Sequence, residues 1–392
     1  MKRALYTGAF RFPQGDAAAF RVHAVAGLLE EAGLEVSFAG WERPEPGQDA
    51  YTYQGHDCHP QGEFRERELG LPSRLLGFLL RGGKTLRWLS RQSRFDIVIA
   101  YNPPALFALR LLLAGRARGF RVVLDSTEWY EGEHLPGGRF GPAAIENFVR
   151  MRVVYPWFRH VICISRLLER HFQGRNLVNI PPLCPAAGPA PKRPPIEDGV
   201  FFLYAGDAGR KDRVLPFLRA LPEVQAVLGR PVLLRIAGQD LDGLRRLLHE
   251  EGMDEARFLP FVECHGRVPR AEVARLYGLS HFSILFREDK RYARAGFPTK
   301  AVESWAHGCP VIANAVGDFG AMARDGVDAL LLDEAELASR LPAALRAIVE
   351  EGRYPAMSTA AMSRAQEGFS AEAHRAAVAD FVARMGLAEG TA

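Results

Sequence analysis

Short, nearly uninterrupted apolar runs alternate with stretches of helical periodicity along most of this 392-residue chain. That alternation is the pattern of parallel βαβ units, in which helices cover both faces of a sheet and leave few polar positions on its strands. In the first half, residues 3–8, 35–39, 96–100, 121–125 and 161–164 are predicted strands, with helices over 17–32 and 104–118 and another from Ser165 onward. The pattern restarts with strands at 200–205, 232–237, 281–286, 310–314 and 329–332, and a final helix over 371–384 follows Ser370 as its cap. The two halves open alike, Leu5-Tyr6-Thr7-Gly8 against Leu203-Tyr204-Ala205-Gly206. Between them, residues 181–195 carry seven prolines, too many for helix or central strand, and read as a stiff extended spacer. The expected organisation is an N-terminal domain over 1–180, a Pro-rich linker over 181–199, a C-terminal domain over 200–368, and a closing segment 369–392 whose helix returns to the first domain. Two doubly wound α/β domains facing a central cleft would bind ligands at the carboxyl ends of their strands.

Composition changes this picture little. With 48% hydrophobic residues the chain can fill two cores. No apolar run approaches the roughly 18 residues of a membrane span, and the start, Met1-Lys2-Arg3, runs straight into a strand rather than a signal peptide. A cytoplasmic protein beginning at Met1 is therefore expected. A net charge of +4 is too mild to imply nucleic-acid binding. Cys58, Cys163, Cys184, Cys264 and Cys309 are scattered and form no C-x-x-C pair, so reduced structural thiols are expected, with neither a zinc site nor a disulfide framework.

The chemistry concentrates in residues 294–314. In Arg294-Ala295-Gly296-Phe297-Pro298-Thr299-Lys300-Ala301-Val302-Glu303, Pro298 suits the first turn of a helix that ends at Gly308. Gly296 lets backbone approach a ligand, the helix start offers amides and a positive dipole end, and Lys300 adds a full charge beside them. Glu303, three residues on, shares that face and suits a vicinal diol. Diphosphate at the amides and ribose at the carboxylate is what a nucleoside diphosphate requires. The competing reading is an ordinary amphipathic helix with a solvated Lys300–Glu303 pair.

Together with Gly308-Cys309-Pro310-Val311-Ile312-Ala313, this segment resembles retaining GT-B glycosyltransferases of the GT4 type, the glycosyl transferases group 1. Subgroups with F-P-[ST]-K here, often linked to surface polysaccharide synthesis, look closest. The resemblance implies that Glu303 binds the nucleotide ribose and that the turn through Gly296, Phe297, Thr299 and Lys300 holds the diphosphate. The glutamate that opens the family pattern, near the donor sugar, falls on Ala295. After the strand ending at Gly206, the resemblance implies a donor-phosphate contact from Arg210 or Lys211, either of which is equally well read as a surface helix start. Phe12-Pro13-Gln14-Gly15-Asp16 resembles the family's first loop, with Gly15 approaching the donor and Asp16 either a helix cap or a sugar contact. His265-Gly266-Arg267-Val268-Pro269 resembles the turn beside the nucleobase, and is also a helix start with Pro269 in its first position. Past the strand ending at Asp125, Glu128 is the candidate for orienting a sugar acceptor, against the alternative of a charged surface loop with Trp129 in the core.

Two near matches carry no chemistry. Gly82-Gly83-Lys84-Thr85 lacks the earlier glycine and the strand of a P-loop, and Asp240-Leu241-Asp242 begins a helix, where capping explains it. No metal is required, and a nucleotide sugar would be a co-substrate rather than a cofactor. From 71 to 95 the chain carries six basic and no acidic residues among leucines and Trp88. It reads either as a surface helix packed on the sheet or as an interfacial segment meeting anionic lipid at the inner membrane face. The function expected is a hexosyltransferase-like transfer from a nucleotide diphosphate sugar, UDP ahead of GDP, to a glycan or lipid-linked saccharide with retention. A sugar-nucleotide epimerase on the same fold and a non-catalytic nucleotide-sugar-binding protein are the alternatives.

Overall fold

The computed structural model describes residues 1–13, 15–64, 80–93, 95–184, 192–206 and 212–387. The chain divides into two units, Met1–Leu183 with Ala371–Ala392, and Cys184–Ser370. Unit 1 holds strands β1 (Lys2–Gly8), β2 (Leu34–Gly40), β3 (Tyr51–Tyr53), β4 (His56–Cys58), β5 (Ile97–Tyr101), β6 (Arg121–Ser126), β7 (His160–Cys163) and β8 (Asn176–Asn179). They form one sheet in the order β3-β4-β2-β1-β5-β6-β7-β8, parallel except for the β3–β4 hairpin. Unit 2 holds β9 (Val200–Ala205), β10 (Val232–Ala237), β11 (Val262–Gly266), β12 (Phe282–Leu285), β13 (Val311–Ala313) and β14 (Ala329–Leu331). Its order, β11-β10-β9-β12-β13-β14, is wholly parallel and reverses direction between β9 and β12. Such a reversal opens a crevice at the strands' carboxyl ends, where doubly wound sheets bind ligands. In unit 1 the reversal lies between β1 and β5.

The apolar runs become buried strands, as periodicity dictates: β5 and β13 have no exposed position. The short strands β3, β4, β8 and β11 were not foreseen. Their sequences, such as Asn176-Leu177-Val178-Asn179, mix polar and apolar residues and take strand form only because a neighbouring edge supplies hydrogen bonds. The helix Ala371–Ala383 packs on helix Ala17–Glu31 and on β8, placing Val378 and Phe381 in the core of unit 1. All five cysteines are free thiols, and burial raises the Cys58 thiol to about 12. Among the described residues no helix is long and apolar enough to cross a membrane.

One buried histidine makes unit 2 sensitive to acid. His281, fully buried, accepts the Phe201 amide at Nδ1 (3.0 Å), so Nε2 is left to donate to the Pro194 carbonyl (3.0 Å). Burial, and then the nearby Arg193 and Arg235, lower its pKa to about 4, although the Pro194 contact opposes them. The unfolded chain takes up this proton near pH 6.5 and the folded chain only near pH 4, so stability present above 6.5 is lost as pH falls to 4. At about 1.4 kcal/mol per pKa unit, His281 is expected to cost unit 2 roughly 3 kcal/mol between pH 7 and pH 4. Urea unfolding of His281→Gln checks this: an unchanged pH slope would refute it.

Candidate functional site

At the carboxyl ends of β9 and β12 three charged side chains meet. Asp212, buried just after the region that follows β9, accepts from Arg287 Nε at Oδ1 (2.6 Å) and from the Tyr204 hydroxyl at Oδ2 (2.9 Å). The Lys300 ammonium contacts the same Oδ2, donates to the Tyr204 hydroxyl (2.8 Å) and lies 4.3 Å from the centre of that ring. Burial alone would raise the Asp212 pKa, but Arg287 and Lys300 outweigh it and lower it to about 2. Two cations against one carboxylate leave a net positive centre. Asp212 thus lets two like charges stand side by side, ready for an anion.

The backbone makes room for it. Gly206 follows β9, Gly238 follows β10 and Gly266 ends β11, joined by bonds from the Gly206 amide to the Ala237 carbonyl and from the Gly238 amide to the Gly266 carbonyl, both 2.6 Å. A Cβ on Gly206 would strike the Lys300 ammonium, and one on Gly238 would strike the Gly206 carbonyl. Only glycine allows the strand ends and the lysine to approach this closely.

Lys300 and Glu303 lie on the helix Thr299–Ala306. Pro298 sits at its cap, one position earlier than expected, because its φ of −74° and ψ of 101° are extended. The Ala301 amide already donates to the Pro298 carbonyl (3.0 Å), which narrows the helix-end amides expected to face an anion. Thr299 is exposed and Gly296 half-buried, whereas the Phe297 ring is buried against Phe369, 5.2 Å between centres. Ala295 is fully buried. The half-buried Glu303 faces Arg270 at 3.5 Å. Burial raises its pKa, with Arg270, His307 and Lys300 pulling it back. Arg270 opens the helix Arg270–Gly278, whose cap is Pro269, again one position outside the helix rather than within it. The Tyr277 hydroxyl of this helix donates to the Lys300 carbonyl (3.3 Å) and steadies the lysine's backbone.

Gly206, Gly266, Lys300 and Glu303 are therefore gathered around the carboxyl edge of unit 2. Arg210 and Lys211 lie outside the described residues, as do 71–79 and Arg94 of the basic stretch. Of that stretch, helix Gly83–Arg91 turns Thr85 and Leu89 inward, and Lys84 donates to the Gly62 carbonyl (2.7 Å). Sequence reasoning missed Asp212, Tyr204 and Arg287. Arg287 offered one signal, a cation directly after a predicted strand. Asp240 caps the helix Leu241–Glu250 through the Gly243 amide (2.7 Å).

In unit 1, Asp16 is a cap. Its Oδ1 accepts the Ala19 amide (2.9 Å) and its Oδ2 the Arg11 amide (3.1 Å). Gly15 donates to the Arg11 carbonyl (2.8 Å), closing the loop tightly. Glu42 accepts the Phe12 amide (3.1 Å) and is raised by burial to about 7. Beyond β6, Glu128 is exposed and hydrogen-bonded to the Tyr130 hydroxyl, while Trp129 is buried. Asn102 (φ +40°) clasps Thr127 with bonds of 2.6 and 2.9 Å and ties the loops after β5 and β6 together. A non-glycine residue in that conformation is uncommon, and asparagine tolerates it best.

Comparisons with known proteins agree with this architecture. Residues 17–183 match the glycosyl transferase 4-like domain and residues 199–351 the glycosyl transferases group 1 model. No curated protein matches the sequence significantly. Among solved structures, sucrose-phosphate synthase from Thermosynechococcus elongatus is similar at a TM-score of 0.74, with 15% identity over 98% of this chain and 99% of that one. HepE from Anabaena, solved with UDP and glucose, has a TM-score of 0.65 and 14% identity over 98% of this chain and 100% of that one. The catalytic domain of starch synthase IV from Arabidopsis thaliana, bound to ADP and acarbose, has a TM-score of 0.63 and 12% identity, covering 98% and 99% of the two chains. With two parallel-sheet units of this topology, each matching its own glycosyltransferase domain, the chain belongs to the GT-B glycosyltransferases of the group 1 and GT4-like kind.

Proposed function

We propose that this transferase takes a sugar from a nucleoside diphosphate donor, UDP ahead of GDP, and passes it with retention to a glycan or lipid-linked saccharide. The Lys300–Asp212–Arg287 cluster carries this reading. A departing nucleoside diphosphate gains negative charge as the glycosidic bond breaks, and two preorganised cations at the strand ends stabilise that charge without reorganising. They supply the compensation a divalent ion would otherwise bring, so turnover is proposed to be metal-independent and to persist in EDTA. Glu303 accepts the ribose hydroxyls, displacing part of its contact with Arg270. The turns at Gly206, Gly266 and Gly296 admit the nucleotide, with Arg210, Lys211 and Thr299 as further phosphate contacts. Glu128 is assigned to orienting the acceptor, and Gly15 to approaching the donor. The buried Ala295 leaves recognition of the donor sugar to other residues.

The test is thermal unfolding with UDP, GDP, ADP, dTDP and CMP. A nucleotide at about 100 times its Kd adds roughly 2.7 kcal/mol, and UDP is expected to give the largest shift. Glu303→Ala is expected to raise the donor KM about tenfold or more with kcat little changed, since it removes binding shared by ground and transition states. If no nucleotide stabilises the protein, the donor site is wrong.

A further inference from the structure

A different surface of unit 1 has the chemistry of a lipid contact. Among the described residues eleven large hydrophobic side chains are exposed, and seven of them lie between 106 and 157. They sit on two neighbouring elements that both run from the carboxyl edge of the sheet back to its amino edge. One is helix Ala105–Arg118, with Leu106 and Leu113. The other is helix Pro142–Val149 with its continuation to Trp157, bearing Ile145, Phe148, Val153 and Trp157. Glu146 joins them by accepting the Ala105 amide (2.9 Å), as does Tyr155, whose hydroxyl donates to the Pro103 carbonyl (2.9 Å). Phe140, just before the second helix, is 85% exposed, Phe148 62% and Trp157 54%.

Along these two elements the charge is almost all of one sign. Residues 104–121 contain four arginines and no acid, and residues 139–160 contain four arginines and one acid, Glu146, which is spent on the Ala105 amide and on Arg150. At the amino ends of β6, β7 and β8 two cavities of about 560 and 450 Å³ share Arg121, Trp157, Arg159 and His160. Arg116 lines one of them, Arg175 and Arg384 the other. Burial, then Arg121 and Arg159, hold the His160 imidazole below its usual range.

We propose that this face docks the enzyme on a bilayer containing anionic phospholipid, Phe148 and Trp157 entering the acyl boundary and the arginine-lined cavities taking headgroup phosphates. Protruding apolar groups are costly in water and gain nothing from a polyanion in solution, whereas a charged bilayer satisfies both kinds of side chain. The surface is built from residues other than those of the nucleotide site, and the two assignments stand or fall separately.

Co-sedimentation of the full chain with vesicles tests this. With about one third phosphatidylglycerol in phosphatidylcholine, binding is expected to exceed that to pure phosphatidylcholine by about tenfold or more. The double variant F148S/W157S is expected to lose about tenfold in binding, and R121E/R159E to lose the dependence on anionic lipid. Both variants should keep the nucleotide-induced rise in Tm, which shows that they are folded and that the donor site is intact. Failure to sediment with either vesicle, wild-type binding by both variants, tighter binding to duplex DNA than to vesicles, or a wild-type dimer that F148S/W157S dissociates would each overturn the assignment.

Discussion

Replacing Lys300 by alanine is expected to lower kcat by about 10²–10³, the usual cost of removing one preorganised donor from a developing oxyanion. The ammonium is held between Asp212 and Tyr204 beside Gly206, so its position is set before any ligand arrives. A charge fixed in that way stabilises the leaving group more than the bound donor, and the loss should fall mainly on kcat. Arg287 stays in the variant and keeps Asp212 compensated, so the fold should survive. Asp212→Asn tests the other half of the idea. Without the carboxylate the two cations repel, and both kcat and donor affinity should fall although Asp212 need not touch the donor. Steady-state kinetics over a donor titration checks both variants. A Lys300→Ala enzyme within about threefold of wild type in kcat would remove the lysine from the mechanism.

The second large effect is on stability. Arg21→Met is expected to destabilise unit 1 by about 3–5 kcal/mol, because it strands a buried carboxylate. Asp125 is fully buried, and Arg21 holds it through Nη2 (2.8 Å) and Nε while donating Nη1 to the Ile180 carbonyl (2.8 Å). Among the described residues, only the Tyr6 hydroxyl (2.6 Å) would remain on the Asp125 carboxylate. The loss should be largely recovered in Arg21→Met/Asp125→Leu, where no charge is left to desolvate. Urea unfolding followed by fluorescence is suited to the measurement, since four of the five tryptophans, Trp41, Trp88, Trp129 and Trp157, belong to unit 1. A single-variant cost under about 1 kcal/mol would show the pair to be solvated or replaceable.

These two clusters share a plan. Tyr6 and Tyr204 each stand two residues before a glycine that follows or closes the first strand of their unit, and each donates to a buried aspartate that an arginine also holds. The likeness of Leu5-Tyr6-Thr7-Gly8 to Leu203-Tyr204-Ala205-Gly206 was visible in the sequence. Its physical meaning was not, because the aspartates lie 119 and 8 residues away and the arginines belong to other elements.

What the sequence determined by itself was whatever depends on local periodicity and backbone chemistry. The long buried strands, the caps at Asp16 and Asp240, and the helix bearing Lys300 and Glu303 follow from apolar spacing, side-chain acceptors and the position of a proline. The tertiary structure decided the rest. Strands such as β8 and β11 exist because a neighbour offers an edge. Phe297, in a motif, turned into the core because it had an aromatic partner there. Asp212 and Arg287, to which sequence reasoning assigned no role, meet because parallel strands bring residues 75 positions apart to one edge, where opposite charges leaving water together must pair.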